Sequence, residues 1–587
     1  NHTTKIMVNN IFDYVKAEQN NYQTRGIPIA GGLEWSMYDH VKKSVYAKDG
    51  KFLTGVNGDG SRPYHNVISP IAKLAYRSEG FDVKDIEMYV DNSDNYYLSF
   101  LAKKYHDNWA LTNHIDEFID TVVIQSFDFG GCLVKKNKSN IEVVPLQSLA
   151  FVDQTDIIAG PKCIKHGYSI DDLESKRDAW DNDAIDEAIA MSQAETTNGN
   201  SFTKAKTPGQ YIEVYELHGT FKDSWYDENG DDTKYTKQTH IVSFYTKADG
   251  TKQGITFFKT NKAKDIFKFY RRGGNSMSIY GRALNKGGIE ELFEPQIWIN
   301  YSMIQLKDML DVASLMLLKT TDPELAGQNN IKDLSPGEII KMRDNSDLTQ
   351  VNFQTLNETA FYNSINKWEG LARATGSASE SSLAVTPTSG TPFALEQLKT
   401  ANGLQEHDYQ RNKISDFIGE VYRDWTLDIL SKDMRKGYKW LDELSIDELQ
   451  ATVKNVVTNE TNEKIKENIL KGVLMSDDQI KQYQALVDEL HMNKSTKFLT
   501  ILEEELKDLP LDIKINVAGR QKDLSKMTDK LTNIFREVIA NPQVLENDNA
   551  KQVFNEIIEY SGLNPMTFKS TQPAKPSIEA LAPVATA

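Results

Sequence analysis

Two periodicities divide the chain. Over the first ~285 residues, short alternating runs are mixed with helical ones. From Asp107 to Ser126 the apolar positions Leu111, Ile115, Phe118 and Val122 fall on one helical face. Gly130-Gly131 stops that helix, and Cys132-Leu133-Val134 opens a strand. A turn at Asn137–Asn140 leads into a second strand at Ile141–Val144. Tyr211–His218 alternates, Ile241–Tyr245 and Gly254–Phe258 read as further strands, and Asp227–Asp232 is a polar turn. Asp171–Lys206 predicts a helix followed by an exposed loop.

From Glu294 the helical period dominates. The spacing predicts one helix over Glu294–Leu318, with Pro295 in its first turn and a stripe at Ile299, Met303, Leu306, Leu310, Ala313 and Leu317. A short mixed insert, Lys319–Leu356, has turn signals at Asp322-Pro323 and Ser335-Pro336 and strand-like runs at Glu338–Met342 and Thr349–Phe353. A return helix from Asn357 carries Phe361, Ile365, Trp368 and Ala372 on one face. Gly376–Thr391 is a run of mostly Ser, Thr, Gly and Ala, long for a structureless connection inside a domain. Thr391-Pro392 then starts a very long helix to Met434, with Gly403 as its kink point and Ile414, Phe417, Val421, Trp425 and Ile429 as its stripe. Capping-box starts at Ser445 and Ser476, a strand at Leu511–Val517 and helices at Lys522–Ile539 and Asn549–Tyr560 complete the pattern. The Pro- and Ala-rich end, Thr571–Ala587, reads as a flexible tail.

Composition narrows the picture. The 587 residues carry a formal charge of −17 and are 39% hydrophobic, enough for cores but low for a membrane protein. The longest apolar runs, such as Leu315–Leu318, are far short of the ~20 residues a membrane helix needs, and Asn1–Asn10 has no signal-peptide character. Two cysteines, Cys132 and Cys163, cannot staple a chain of this size. The acidic balance argues against tight, non-specific nucleic-acid binding.

Catalytic and metal motifs are missing. No GxxxxGK[ST] or HExxH occurs, and Gly55–Gly60 is not a dinucleotide fingerprint. Arg271-Arg272-Gly273-Gly274-Asn275 is basic and glycine-rich but reads as a solvated hairpin turn. Lys262, Lys264, Lys268, Arg271 and Arg272 form the densest basic stretch, by default a solvated strand face. His106 and His114, with Asp107 and Asp116 nearby, read as structural, and Asp227–Asp232 lacks the calcium-loop ligand pattern. The expectation is therefore no enzyme, no catalytic or metal residues and no cofactor.

The order of elements resembles the portal protein of tailed bacteriophages, the head-to-tail connector. The resemblance runs over most of the chain. It is carried by Tyr280-Gly281-Arg282 and Glu294-Pro295-Gln296 leading into the first long helix, then Thr391-Pro392-Phe393-Ala394-Leu395-Glu396-Gln397, then Leu511–Val517. It implies an α+β, predominantly helical, ring-forming fold. Residues 1–285 would be the wing, 286–315 the first stem helix and 316–356 the clip. Residues 357–375 would be the second stem helix, 376–391 the tunnel loop and 392–517 the long helix with the returning wing. The crown would span 518–566 and the flexible tail 567–587.

The resemblance further implies a dodecameric ring at a unique capsid vertex of the virion, assembled in the host cytoplasm. Double-stranded DNA would pass through it during packaging and ejection. Its partners would be the major capsid protein, the terminase large subunit and then the neck or tail adaptor, with no membrane. Ser377, Ser379, Glu380, Ser381, Ser382, Thr386, Thr388 and Ser389 would face DNA. Lys341 and Arg343 of the clip would meet DNA or a docking partner. Ile299, Met303, Leu306, Leu310, Leu317, Phe361, Ile365 and Trp368 would pack the stem.

Physical chemistry is compatible with these roles. A stem helix in a ring needs an apolar seam, and short hydroxyl side chains meet phosphate without the counterion release that Lys and Arg bring. An acidic wall keeps a sliding duplex from sticking. Read without the resemblance, Gly376–Thr391 is a surface linker, Lys341 and Arg343 sit on a solvated edge, and Trp368 and Trp425 are core or interface anchors. The rival reading is a non-enzymatic helical scaffold or adaptor protein of a cytosolic complex.

Overall fold

The computed structural model describes residues 10–24, 26–29, 33–50, 64–90, 96–137, 140–151, 155–198, 201–202, 211–227, 230–246, 252–262, 265–274, 279, 281–314, 317–321, 344, 348–351, 358–378, 404–430, 446–471, 475–492 and 511–515. The described helices are α1 Ile11–Thr24, α2 Met37–Asp49, α3 Ile68–Glu79, α4 Tyr96–Thr112, α5 Ile115–Phe129, α6 Ile170–Glu174, α7 Asn182–Asn198, α8 Gly288–Ser314, α9 Glu358–Thr375, α10 Gln405–Val421, α11 Ile446–Leu470 and α12 Asp477–Met492. The strands are β1 Ile27–Ile29, β2 Leu33–Trp35, β3 Ile86–Val90, β4 Gly131–Lys136, β5 Ile141–Val144, β6 Leu149–Ala150, β7 Lys162–Tyr168, β8 Ser201–Phe202, β9 Ile212–Lys222, β10 Tyr235–Thr246, β11 Lys252–Thr260, β12 Phe267–Arg271, β13 Leu317–Thr320, β14 Leu348–Val351 and β15 Leu511–Ile515. The fold is mixed α+β and mainly helical, with antiparallel sheets. The chain forms two compact units, residues 1–80 with 117–417 and residues 81–116 with 418–587. No described helix is long and apolar enough to cross a membrane.

In the first unit, β11, β10, β9, β7 and β6 form one antiparallel sheet, which β8 joins through β10. The alternation of β9 places Tyr215 and Leu217 in one core and Ile212 and Val214 in another. The first core also takes Ile11 and Val15 of α1 and Met37 and Val41 of α2, and the second takes Ile185 and Ala188 of α7. The smaller β12-β4-β5 sheet begins where α5 ends. Gly130 makes that junction at φ +82, and a Cβ there would lie 2.0 Å from the Asn285 carbonyl oxygen. Only glycine adopts that conformation against so close a backbone. Cys132 and Cys163 are both buried and free, and burial pushes the Cys163 thiol up to about 12.

A third core joins α3, α8 and α9. Ile68, Ile71, Ala72 and Ala75 pack with Ile289, Leu292 and Ile299 and with Ile365 and Ala372. In the second unit, β15 pairs antiparallel with β3, Leu511 opposite Val90 and Ile515 opposite Ile86. His106 of α4 is buried there, with Nε2 3.3 Å from the Tyr422 hydroxyl. Tyr422 opens a π-helical turn, Tyr422–Thr426, that continues α10. Val453, Val456 and Val457 of α11 and Val487 of α12 are buried in the packing of those helices.

Several sequence expectations are met. Gly130-Gly131 does divide helix from strand, and Ile414, Phe417, Val421, Trp425 and Ile429 are all buried. The Ser476 start is a reciprocal cap: the Gln479 N–H donates to Ser476 Oγ at 3.4 Å, and the Ser476 N–H donates to Gln479 Oε1 at 3.1 Å. Others need correction. The helix expected over Asp107–Ser126 is two helices, broken at His114 with φ 53. Asn113 ends the first by returning its backbone N–H and Nδ2 to the Trp109 carbonyl, both at 2.9 Å. The apolar spacing runs through the break, so periodicity did not reveal it, and Leu111 is exposed. The helix expected from Glu294 begins at Gly288, which puts Pro295 inside it, and it ends at Ser314. Leu317–Thr320 is a strand paired with Leu348–Val351, because a short apolar run is ambiguous until it finds an edge. Part of the loop expected within Asp171–Lys206 is the strand Ser201–Phe202. The long helix is described from Gln405, so its expected start at Pro392 and kink at Gly403 lie outside the described residues. So do the expected elements at 338–342, 522–539, 549–560 and 571–587.

Candidate subunit-packing face

The helix Gly288–Ser314 has two faces of different character. One stripe, Ile289, Leu292, Gln296, Ile299, Met303 and Leu306, recurs every three or four residues and turns inward. Ile289, Leu292, Ile299 and Met303 meet α3 and α9 of the same chain. Its polar members are also used. Gln296 Oε1 accepts the backbone N–H groups of Val67 at 2.8 Å and Ile68 at 3.3 Å, and Gln296 Nε2 donates to the His65 carbonyl at 2.6 Å. One turn on, Asn300 Oδ1 accepts the His65 N–H at 2.9 Å. Val67 has no cap from its own side chain, so a glutamine 229 residues away serves the first amides of α3. His65 Nε2 reaches Glu369 Oε1 of α9 at 2.7 Å and ties the return helix to the same point.

The second stripe is shifted by two residues, about 200° around the helix, and faces outward: Glu291, Glu294, Trp298, Tyr301, Gln305 and Asp308. Trp298 is 44% exposed and Tyr301 50%. The Trp298 ring stacks on Trp368 of α9 with centroids 6.0 Å apart and planes 11° apart, while Tyr301 meets Trp298 edge-on at 6.1 Å. Leu310, Tyr362 and Leu371 are exposed on the same two helices. The result is an exposed aromatic patch, of the residue types enriched at protein interfaces, with carboxylates along its α8 edge as a polar rim.

The eight stem-packing residues named from sequence are therefore split. Ile299, Leu306 and Ile365 are buried, and Met303, Phe361 and Trp368 are partly so. The burial of Ile299 and Ile365 comes from the chain's own third core. Leu310 is exposed, and Leu317 sits in β13 opposite Val351. On α8 the exposed surface is thus the outward stripe. It is legible in the sequence as a second three-four repeat through Trp298 and Tyr301, but its other members are polar, so an apolar period does not mark it. Ser377, at φ 49, follows the end of α9. Lys341, Arg343, Ser379, Glu380, Ser381, Ser382, Thr386, Thr388 and Ser389 lie outside the described residues.

The basic run gives a clear correction. Arg272 is not a solvated turn residue. It is buried, and its Nη1 and Nη2 donate to the two oxygens of the fully buried Glu79, each at 2.6 Å. His407 Nδ1 adds a 2.9 Å contact to Glu79 Oε1. Burial alone would raise the Glu79 carboxyl, but the Arg272 charge and the hydrogen bonds from Arg272 and His407 outweigh it and hold the group below its ordinary value. Glu79 is 193 residues from Arg272, so nothing local to the basic run announces it.

A scan against protein-family profiles and a search of curated proteins found no match to this chain.

Proposed function

We propose that this chain is the subunit of a tailed-phage portal, a dodecameric ring at one capsid vertex through which the genome is packaged and ejected. The carrying observation is the helix Gly288–Ser314 packed beside the return helix Glu358–Thr375, with the small antiparallel pair Leu317–Thr320 and Leu348–Val351 between them in the chain. That is the stem-clip-stem order the sequence resemblance implies. The return of Leu511–Ile515 to pair with Ile86–Val90 supports the same reading, since a portal's late strand rejoins an early sheet.

In this reading the outward stripe of α8, with Trp298 and Tyr301, contacts the neighbouring subunit. Aromatic anchors suit such a contact because they bury much area for few rotatable bonds. The terminase motor and then the neck adaptor dock on the insert between the two helices, with Lys341 and Arg343 there. Ser379–Ser389 meets the moving duplex. The chain is a passive conduit, so the motor supplies the energy of packaging.

Electron microscopy of the purified full chain tests the proposal. Rings of twelve subunits are expected. A chain that stays monomeric or dimeric across concentration and salt, and also fails to form rings in the presence of capsid protein, favours the cytosolic scaffold instead. Deleting Ser379–Ser389 is expected to leave rings intact while impairing packaging or DNA retention.

A further inference from the structure

The large and small sheets of the first unit are joined by charge as well as by apolar packing. Glu216 of β9 is buried, and cation-forming side chains meet both of its oxygens. Lys135 Nζ of β4 lies 2.7 Å from Oε1 and 2.8 Å from Oε2. His218 Nε2, two residues along β9, lies 2.6 Å from Oε1. His166 Nε2 of β7 lies 2.9 Å from Oε2. Strands β7 and β9 are neighbours in the large sheet, whereas β4 is the middle strand of the small one. Lys135 therefore reaches the carboxylate across the boundary between the sheets. Phe267 of β12, opposite Lys135 in the small sheet, adds to the contact. The His218 ring meets it edge-on at 4.8 Å, and Lys162 Nζ of β7 lies 5.3 Å from its centroid. All of these residues belong to one compact unit.

The hydrogen bonds define the protonation state that this arrangement suits. Both Nε2 atoms face a carboxylate, so each neutral ring carries its proton there. His218 Nδ1 then accepts from the Thr239 hydroxyl at 3.0 Å, and the ring is satisfied at both nitrogens. A second proton on His218 goes to Nδ1 and takes that acceptor away from Thr239. Burial alone would raise the Glu216 carboxyl, but the bonds from His166 and His218 and the charges of His218 and Lys135 outweigh it and keep the group ionised. With neutral histidines, one ammonium balances one carboxylate. With both histidines protonated, three cations share it.

The added charge has a direction. His166, His218 and Lys162 stand on the large sheet and Lys135 on the small one. Protonation therefore sets like charges against each other across the boundary, where burial leaves them weakly screened. The remaining charged neighbours offset this little. Glu142 of β5 lies 3.5 Å from Lys135 but is 46% exposed. Asp265 acts on Lys162 but is paired with Lys237 of β10 at 2.7 Å. His240 of β10 adds to the positive side when charged. The apolar core of Leu133, Val144 and Leu217 spans the same two sheets. Repulsion at Lys135 thus acts on one end of an interface that is held elsewhere.

We propose that the Glu216 cluster is an acid-sensitive clamp between the two sheets, closed while His218 is neutral and opened at the Lys135–Phe267 end of the small sheet when His218 takes a proton. Burial, assisted by Lys135 and Lys162 and opposed by Glu216, holds the closed His218 below its ordinary 6.5. The opened segment returns it to that value. The clamp is therefore complete above pH 6.5 and weakens as pH falls below it. One pH unit lower, a histidine that is neutral only when closed makes opening about tenfold more frequent.

Hydrogen exchange of the full chain at about pH 7.5 and about pH 5.5, at constant ionic strength and corrected for intrinsic rates, tests the clamp. Protection at Leu133–Lys136 and Phe267–Phe269 is expected to fall about tenfold at the lower pH. Protection at Ala184–Ala188, in the other core of the unit, is expected to fall clearly less. His218→Gln retains a donor toward Glu216 but cannot titrate, so it is expected to remove most of the local fall, whereas His240→Gln is expected to leave it in place. Exchange of the histidine C2 hydrogens in the unaltered chain is expected to put the His218 midpoint below 6.5 and decides the matter where His218→Gln does not fold. The proposal is overturned by equal protection at the two pH values, by an equal fall at Ala184–Ala188, by a fall that persists in His218→Gln, or by a His218 midpoint at or above 6.5.

Discussion

Arg272 grips both oxygens of Glu79 at 2.6 Å inside the first unit, and Glu79 has no exposed surface. A buried pair of this kind is weak evidence of net stabilisation but costly to break from one side. Arg272→Met alone is expected to destabilise the unit by roughly 3–5 kcal/mol, because a buried carboxylate loses its counter-charge. The double change Glu79→Leu with Arg272→Met is expected to cost clearly less than the two single changes added together. Thermal melting of the three variants checks this.

The same carboxylate sets an acid limit. Its proton affinity is lower in the folded chain than in the unfolded one. Its contribution is therefore complete above the ordinary carboxylate value of about 4.5. It is lost as pH falls below that value through the folded one. The double variant should lack this component, seen as a shallower loss of melting temperature below pH 4.5.

His240 acts in a higher window. It is 1% exposed, with Nε2 2.8 Å from Gln238 Oε1. Burial, helped by the charges of Lys259 and His218, lowers it from 6.5 to about 4. Because the unfolded chain takes the proton first, this residue's contribution is full above pH 6.5 and falls until pH reaches about 4. The difference between the two limits is on the order of 3 kcal/mol. His240→Gln is expected to flatten the melting profile between these values, and an unchanged slope would exclude His240 as its source.

Gln296 caps a helix from a distance. Gln296→Leu keeps the side chain's bulk but strands the Val67 and Ile68 amides and the His65 carbonyl, a loss of about 1–3 kcal/mol. Hydrogen exchange should show the gain in exchange concentrated at the start of α3, whereas a uniform increase would indicate general loosening.

Trp298 and Tyr301 test the subunit contact. Both are about half exposed, so Trp298→Ala with Tyr301→Ala should change the melting temperature of the single chain little. If the outward stripe meets a neighbouring subunit, rings seen by electron microscopy should be lost or greatly reduced. Normal rings from the double variant would remove this face from the contact.

Much of the fold can be read locally. The alternating strands, the Gly130-Gly131 stop, the buried stripe from Ile414 to Ile429 and the Ser476 cap follow from periods and caps that act within a few residues. The break at His114 is harder to see, since the apolar spacing continues across it. The strand at Leu317–Thr320 is harder still, because its identity depends on an edge more than 25 residues further along the chain.

The candidate face and the Arg272–Glu79 pair divide along the same line. The sequence alone determined that the chain from Glu294 to Ser314 would be helical and amphipathic, because side-chain period and backbone hydrogen bonding are local properties. Only the tertiary structure decided that Ile299 and Ile365 bury within their own chain while Trp298 and Tyr301 turn outward, since burial depends on which surfaces meet. The same reason explains Arg272. A basic residue beside two glycines reads as solvated until the chain brings Glu79 to it, and the low dielectric of the interior then makes that pairing obligatory.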